Sequence, residues 1–235
     1  MNPSIEPLYD KQITCTFCST TYPTKKVRSR FTTPVVTDSD FCTYYKVERY
    51  DPVLYNTFVC PSCGFTSTDQ FSPWFPPGTK REIKSNLVDK YRTQDFSHER
   101  SLEDAIHTYK LAVYTATLKK EKSVVLAGLY LRLVWLYRKL DMKEQEKRFM
   151  RLTVTSYERA YSESDRHSTE MNPLKILYLI GECKRRLGEH ASAVFYFSKV
   201  IQQKNTVFDP KIVELARDQW YQTREDQKLQ RSLAQ

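Results

Sequence analysis

Cys15-Thr16-Phe17-Cys18 and Cys60-Pro61-Ser62-Cys63-Gly64 are the two stretches that decide how this chain folds. Each places two thiols about one tight turn apart, so both reach one ion, and two such turns complete a tetrahedral set of sulfurs. Gly64, directly after the second pair, supplies the backbone freedom such a turn often needs. The spacing predicts a small zinc-ribbon-like module over residues 1–72, closed by a structural metal. Its expected ligands are Cys15, Cys18, Cys60 and Cys63, and the expected ion is Zn2+. Iron is the alternative, because Cys60 to Gly64 is the kind of turn a rubredoxin-like site uses and both metals accept four sulfurs.

Between the two pairs, Thr20 to Phe58 is rich in Thr, Val, Tyr and Phe and is broken by Pro34, Asp38–Asp40 and Asp51-Pro52. That composition favours short strands and turns, with strands expected at Lys26–Phe31, Phe41–Tyr45 and Tyr55–Val59. A few short strands bury too little surface to be stable alone. Structural zinc contributes on the order of 10–16 kcal/mol in small peptides, so folding of the module is expected to depend on the ion. Cys42 lies in an apolar stretch and reads as a small buried hydrophobe, as does Cys183.

The run Phe71-Ser72-Pro73-Trp74-Phe75-Pro76-Pro77-Gly78 stops regular structure, and residues 73–78 read as a linker whose aromatics pin it to a neighbouring surface. Everything in 79–235 reads as helix. Thr79-Lys80-Arg81-Glu82 resembles a capping box, Ser101 opens a second helix, and Ser123–Leu140 and Lys143–Tyr161 form the next two. Asn172-Pro173 caps a fifth that Gly188 ends, Glu189–Gln203 is a sixth, and Asp209-Pro210 starts a seventh whose last dozen residues are expected to fray.

Ile180-Gly181, Leu187-Gly188, Ala193 and Phe197 fall at the large and small positions of a tetratricopeptide helix pair. Leu133-Val134, Tyr137 and Leu140 repeat the template 47 residues earlier, with Glu146 in place of a small residue, and Ala105, Tyr109 and Ala112 form a further fragment. Glycine inside a helix costs about 1 kcal/mol relative to alanine, so Gly128 and Gly181 are expected at close helix contacts. The fold class is therefore mainly α: a small β-rich, zinc-ribbon-like module with four cysteine ligands, followed by a tetratricopeptide-like α-helical array.

With these residues in view, the chain resembles an uncharacterised bacterial family, domain of unknown function 2225. The matching features are Cys15–Cys18, Thr24-Lys25-Lys26-Val27-Arg28-Ser29, Asp38-Ser39-Asp40-Phe41-Cys42, Cys60–Phe65 and Ile180-Gly181-Glu182. The resemblance covers nearly the whole chain. It implies a four-cysteine zinc module fused to tetratricopeptide-like helices and brings no activity with it.

The chain has 235 residues and a formal net charge of +9. Residues 1–70 hold as many Asp and Glu as Lys and Arg, so the excess lies beyond them. No apolar run approaches the roughly 20 residues that cross a bilayer. The start lacks a secretory signal pattern, and a cytoplasmic location without membrane association is expected. Catalysis is not expected. Four sulfurs fill zinc's shell, and His98, His107, His167 and His190 show no metalloprotease spacing. No βαβ pattern surrounds either Cys pair, which argues against a thioredoxin-like dithiol.

The leading expectation is a non-catalytic scaffold or adaptor whose helices bind a protein or peptide. Lys184, Arg185 and Arg186, with Lys139, Lys143 and Lys147, would favour an acidic one. The alternative is nucleic-acid binding through Lys25, Lys26, Arg28 and Arg30, with Tyr22, Phe31, Tyr44 and Tyr45 as stacking surfaces.

Overall fold

The computed structural model describes residues 5–162, 171–203 and 209–233. Three two-stranded antiparallel hairpins come first, β1 (Leu8–Thr14) with β2 (Thr21–Val27), β3 (Pro34–Thr37) with β4 (Thr43–Tyr45), and β5 (Phe58–Val59) with β6 (Thr66–Ser67). Seven helices follow among the described residues: α1 (Thr79–Asn86), α2 (Leu102–Lys119), α3 (Ser123–Lys139), α4 (Lys143–Ser162), α5 (Pro173–Arg186), α6 (His190–Gln202) and α7 (Pro210–Leu233). The fold is thus a β-containing cysteine module followed by a helical array.

Of the expected strands, Phe41–Tyr45 narrows to Thr43–Tyr45, Tyr55–Val59 narrows to Phe58–Val59, and Lys26–Phe31 is extended only at its start, while β1 and β3 lie outside the expected strands. Lys26 and Val27 end β2, after which Ser29–Phe31 winds into a 3₁₀ turn. Pro52–Tyr55 does the same, with the Asp51 carboxylate accepting from Val53 N at 2.8 Å and proline fixed in the first turn. The Asp51 cap and Pro52 account for the second of these turns, whereas the first has neither a side-chain cap nor a proline.

Side chains cap α2 and α5 as expected, whereas α1, α3 and α6 start without a side-chain cap. Ser101 and Asp104 form a reciprocal capping box on α2, and the Asn172 side chain caps α5 by accepting from Leu174 N. Thr79 is not a cap. Gly78, at φ 84°, holds that position, and the Thr79 hydroxyl turns back to donate to Pro76 O at 2.7 Å. Gly188, at φ 82°, closes α5 as expected. α7 continues to Leu233 through residues expected to fray, a stretch rich in the helix formers Glu, Gln, Lys and Arg.

Packing divides the chain into two compact units, and the division does not fall at the expected linker. The first unit holds residues up to Asp38 and Cys42–Glu146, so it combines all three hairpins with α1, α2 and α3. Residues 73–78 lie inside it. The Lys119 ammonium and the Glu121 carboxylate, both almost fully buried, pair with each other and clasp the Ser72 peptide from its two sides. Lys119 also lies over the Phe75 ring at 4.9 Å.

A second buried cation ties the loops of this unit. Arg100 is 3% exposed and donates to the carbonyls of Phe96, Leu54 and Thr57 and to the Thr24 hydroxyl. One side chain thereby satisfies three backbone carbonyls from two segments and a hydroxyl from a third.

The second unit comprises Ser39–Phe41 and Lys147–Gln235. α5 lies against α6 and α7, and α6 against α7. A Cβ placed on Gly181 would stand 2.8 Å from the Phe197 ring, the close approach the repeat pattern predicts. Gly128 differs, since a Cβ there would meet only the ends of the Arg132 and Gln70 side chains. Its presence in α3 is not explained by helix packing.

Two substitutions test these contacts. Arg100→Met strands several buried carbonyls and should destabilise the protein by on the order of 3 kcal/mol in urea unfolding. An unchanged midpoint would mean that water or a neighbour replaces the guanidinium. Gly181→Val should cost about 1–3 kcal/mol by overpacking against Phe197. Adding Phe197→Leu should recover part of that loss; an undiminished penalty would exonerate the ring.

Candidate metal centre

The two cysteine pairs sit in equivalent turns at the ends of two hairpins. Cys15 and Cys18 lie between β1 and β2, and Cys60 and Cys63 between β5 and β6. In the first turn Cys15 N donates to Thr20 O and Ser19 N to Cys15 O, both at 2.9 Å. In the second, Cys60 N donates to Phe65 O at 3.0 Å and Gly64 N to Cys60 O at 2.9 Å. Each turn needs a left-handed residue after its second cysteine, at φ 72° for Gly64 and φ 63° for Ser19. Serine at that place gave no signal in the sequence, because its side chain tolerates the conformation less readily than glycine.

The four sulfurs lie within 4.8 Å of one another. Cys15 Sγ is 3.7 Å from Cys63 Sγ, and Cys18 Sγ is 3.6 Å from Cys60 Sγ. A metal–sulfur bond of about 2.3 Å in a tetrahedron gives a sulfur–sulfur edge of about 3.8 Å. The donor set therefore fits one thiophilic ion with tetrahedral preference. Zinc and iron fit it equally.

Electrostatics explain why a cation suits the place. The hydrogen bond shared by the Cys15 and Cys63 sulfurs draws the Cys15 pKa down and pushes that of Cys63 up. Backbone N–H groups of Cys18 and Phe17 also favour the Cys15 thiolate. Burial raises the Cys60 thiol, as the backbone N–H groups of Cys63 and Ser62 oppose it. One negative charge is thus welcome and further ones resist each other, a conflict that a dication removes.

The cluster is built into an apolar core rather than a free knob. Cys15, Cys60 and Cys63 are buried with Tyr22, Phe58 and Phe65 against Ile83 and Leu87 of the α1 segment. Phe17 of the first turn stacks on Phe65 of the second at 5.8 Å, and Phe75 closes on both. The Tyr91 ring lies directly on Gly64, where a Cβ would approach it to 2.3 Å. Glycine there serves close approach as well as backbone freedom. Tyr91 follows Ile83 and Leu87 at spacings of four, a stripe that marks it as inward-facing without naming the second turn as what it covers.

The other expected site residues are engaged within their own units. Lys25 pairs with Asp10 at 2.8 Å, and Lys26 pairs with Asp69 at 3.6 Å while lying over the Phe58 ring. Arg28 lies over Tyr9 and Arg30 over Phe31. The expected stackers divide as well: Tyr22 is buried, whereas Phe31, Tyr44 and Tyr45 are half-buried. Cys42 is fully buried and Cys183 nearly so, as expected.

In the second unit, Arg185 and Arg186 converge on the fully buried Glu182 at 2.8 and 2.7 Å. Arg186 also approaches Asp40 at 3.8 Å, and the Ser39 hydroxyl donates to Glu182 at 2.6 Å. Lys184 pairs with Glu189 and Glu158 at 3.1 and 3.4 Å. The basic triplet thus meets acidic groups of this chain.

In the first unit Lys139 pairs with the buried Asp51 and donates to Thr43 O. Lys143 pairs at the surface with Asp141. His98 stands 3.7 Å from Asp104, His107 packs edge-on to Phe96, and His190 is in α6. His167 lies outside the described residues. A cavity of about 510 Å³ opens in the first unit beside Tyr44, Tyr45, Leu54, Arg100 and Lys139. Of the cations on its wall, Lys139 is paired and Arg100 is hydrogen-bonded. No helix among the described residues is long and apolar enough to cross a membrane.

Neither the curated proteins nor the solved structures yielded a match. The model of a bacterial family, described as an uncharacterized protein conserved in bacteria, matches residues 8–223 and so spans the hairpins, the cysteine cluster and most of the helical array. The chain therefore belongs to that family, domain of unknown function 2225.

Proposed function

We propose that this chain is a non-catalytic, cytoplasmic scaffold, stabilised by a structural zinc ion and binding a protein or peptide through tetratricopeptide-like helices. The observation that carries the metal part is the four-sulfur cluster, three of whose cysteines are buried and whose contacts of 3.6 and 3.7 Å match a tetrahedral edge. Cys15, Cys18, Cys60 and Cys63 would hold the ion. Bound there, it neutralises the thiolates and joins two hairpins that have little core of their own; four protein ligands leave it no open position for a reacting water.

The adaptor part rests on the helix pair α5/α6, where Gly181 and Phe197 meet as in stacked helical repeats. Because Lys184, Arg185 and Arg186 are paired internally, an acidic partner would have to compete with Glu182, Glu158 and Glu189 for them. The pairing of Lys25 and Lys26 weighs in the same way against the nucleic-acid reading.

Elemental analysis of the purified protein should find one zinc per chain in a colourless sample. A red protein would replace zinc by iron, and a metal-free folded protein would overturn the metal reading. Cys60→Ser should lose the metal and expose β1, β2 and α1 to rapid hydrogen exchange. Used as bait in its own cell extract, the intact protein should retain protein partners after nuclease treatment. Loss of every partner on nuclease would favour nucleic acid, to be followed by replacing Lys25, Lys26, Arg28 and Arg30 with Ser.

A further inference from the structure

We propose that Cys18 is an oxidation site, at which a peroxide converts the Cys18–Cys60 pair to a disulfide and releases the metal. The proposal rests on the metal reading given above. Cys18 is the most exposed of the six cysteines, half-buried within the cluster, whereas Cys15, Cys42, Cys60, Cys63 and Cys183 are each at most 4% exposed. A small oxidant therefore reaches the Cys18 sulfur first. The sulfur facing Cys18 from the other hairpin is Cys60, 3.6 Å away and fully buried. A disulfide requires about 2.05 Å, so the two sulfurs need to close by roughly an ångström and a half.

The chemistry balances with the peroxide as the only oxidant. The Cys18 sulfur attacks one peroxide oxygen, the O–O bond breaks, and water or an alcohol leaves after protonation, giving a sulfenic acid. The Cys60 sulfur then attacks Cys18, the S–O bond breaks, and a second water leaves. Two sulfurs are oxidised, two oxygens are reduced, and two protons are taken from solvent. With two of its four ligands gone, the ion is lost.

The geometry also fixes what remains. Cys15 and Cys63 face each other at 3.7 Å in the core that holds the Phe17, Phe65 and Phe75 rings, and both remain reduced, each taking one further proton from solvent as the ion leaves. The new bond joins the same two hairpins that the ion joined, so oxidation exchanges one crosslink for another instead of freeing the module. A thiol reductant and zinc then restore the starting state.

The test uses the intact, metal-loaded protein and hydrogen peroxide, with a metallochromic dye to follow release and peptide mapping after alkylation. The expected result is one metal released per disulfide, a Cys18–Cys60 linked peptide, alkylated Cys15 and Cys63, and recovery with dithiothreitol and zinc. The Cys42→Ser/Cys183→Ser double variant should release metal at an unchanged rate. Retention of the metal under peroxide that oxidises a free cysteine peptide would overturn the proposal, as would a first disulfide between any other pair or a response abolished in the double variant. Protein that carries no metal at the outset would instead overturn the metal reading itself.

Discussion

Four sulfurs held within 4.8 Å of one another are the constraint on which the first unit turns. Thiolates repel, and burial among Tyr22, Phe58 and Phe65 sharpens that repulsion by lowering the local dielectric. Yet the turns that carry them are stitched by backbone hydrogen bonds and stacked through Phe17 and Phe65, so the sulfurs cannot move apart without breaking that core. A cation at the centre turns the repulsion into attraction. The same core continues into Ile83 and Leu87, which makes α1 a wall of the metal centre rather than the start of a separate domain.

That continuity changes the meaning of the proline and aromatic segment. Its composition marks a break in regular structure, and the break is there, but the segment is clasped by the buried Lys119–Glu121 pair. Buried ion pairs are weak evidence for stability on their own, since desolvation opposes the attraction. Here each member also binds the Ser72 peptide, so the pair fixes where the chain crosses from hairpins to helices. The Glu182 cluster has a similar character in the second unit, where two arginines and the Ser39 hydroxyl satisfy one buried carboxylate.

Local chemistry was legible in the sequence and distant chemistry was not. Cysteine spacing located the cluster, and Ser101, Asn172 and Gly188 located helix ends, because each acts on residues within a turn of itself. The small-residue pattern anticipated Gly181 on Phe197. Arg100 and Lys119 left no trace, since their partners lie far along the chain and any arginine or lysine reads alike beforehand. The basic runs show the same limit: the pairing of Lys25 with Asp10, Lys26 with Asp69, and Arg185 and Arg186 with Glu182 joins residues whose neighbourhood the sequence alone does not display.

The sulfur contacts join positions 42 and 48 residues apart, while the cover formed by Ile83, Leu87 and Tyr91 comes later in the chain. On a ribosome, Cys63 therefore emerges before the residues that roof it. Once α1 and Tyr91 settle over the second turn, Cys18 is the most exposed cysteine of the cluster. Order of synthesis thereby places the sulfur-bearing turns ahead of the cover that closes on them.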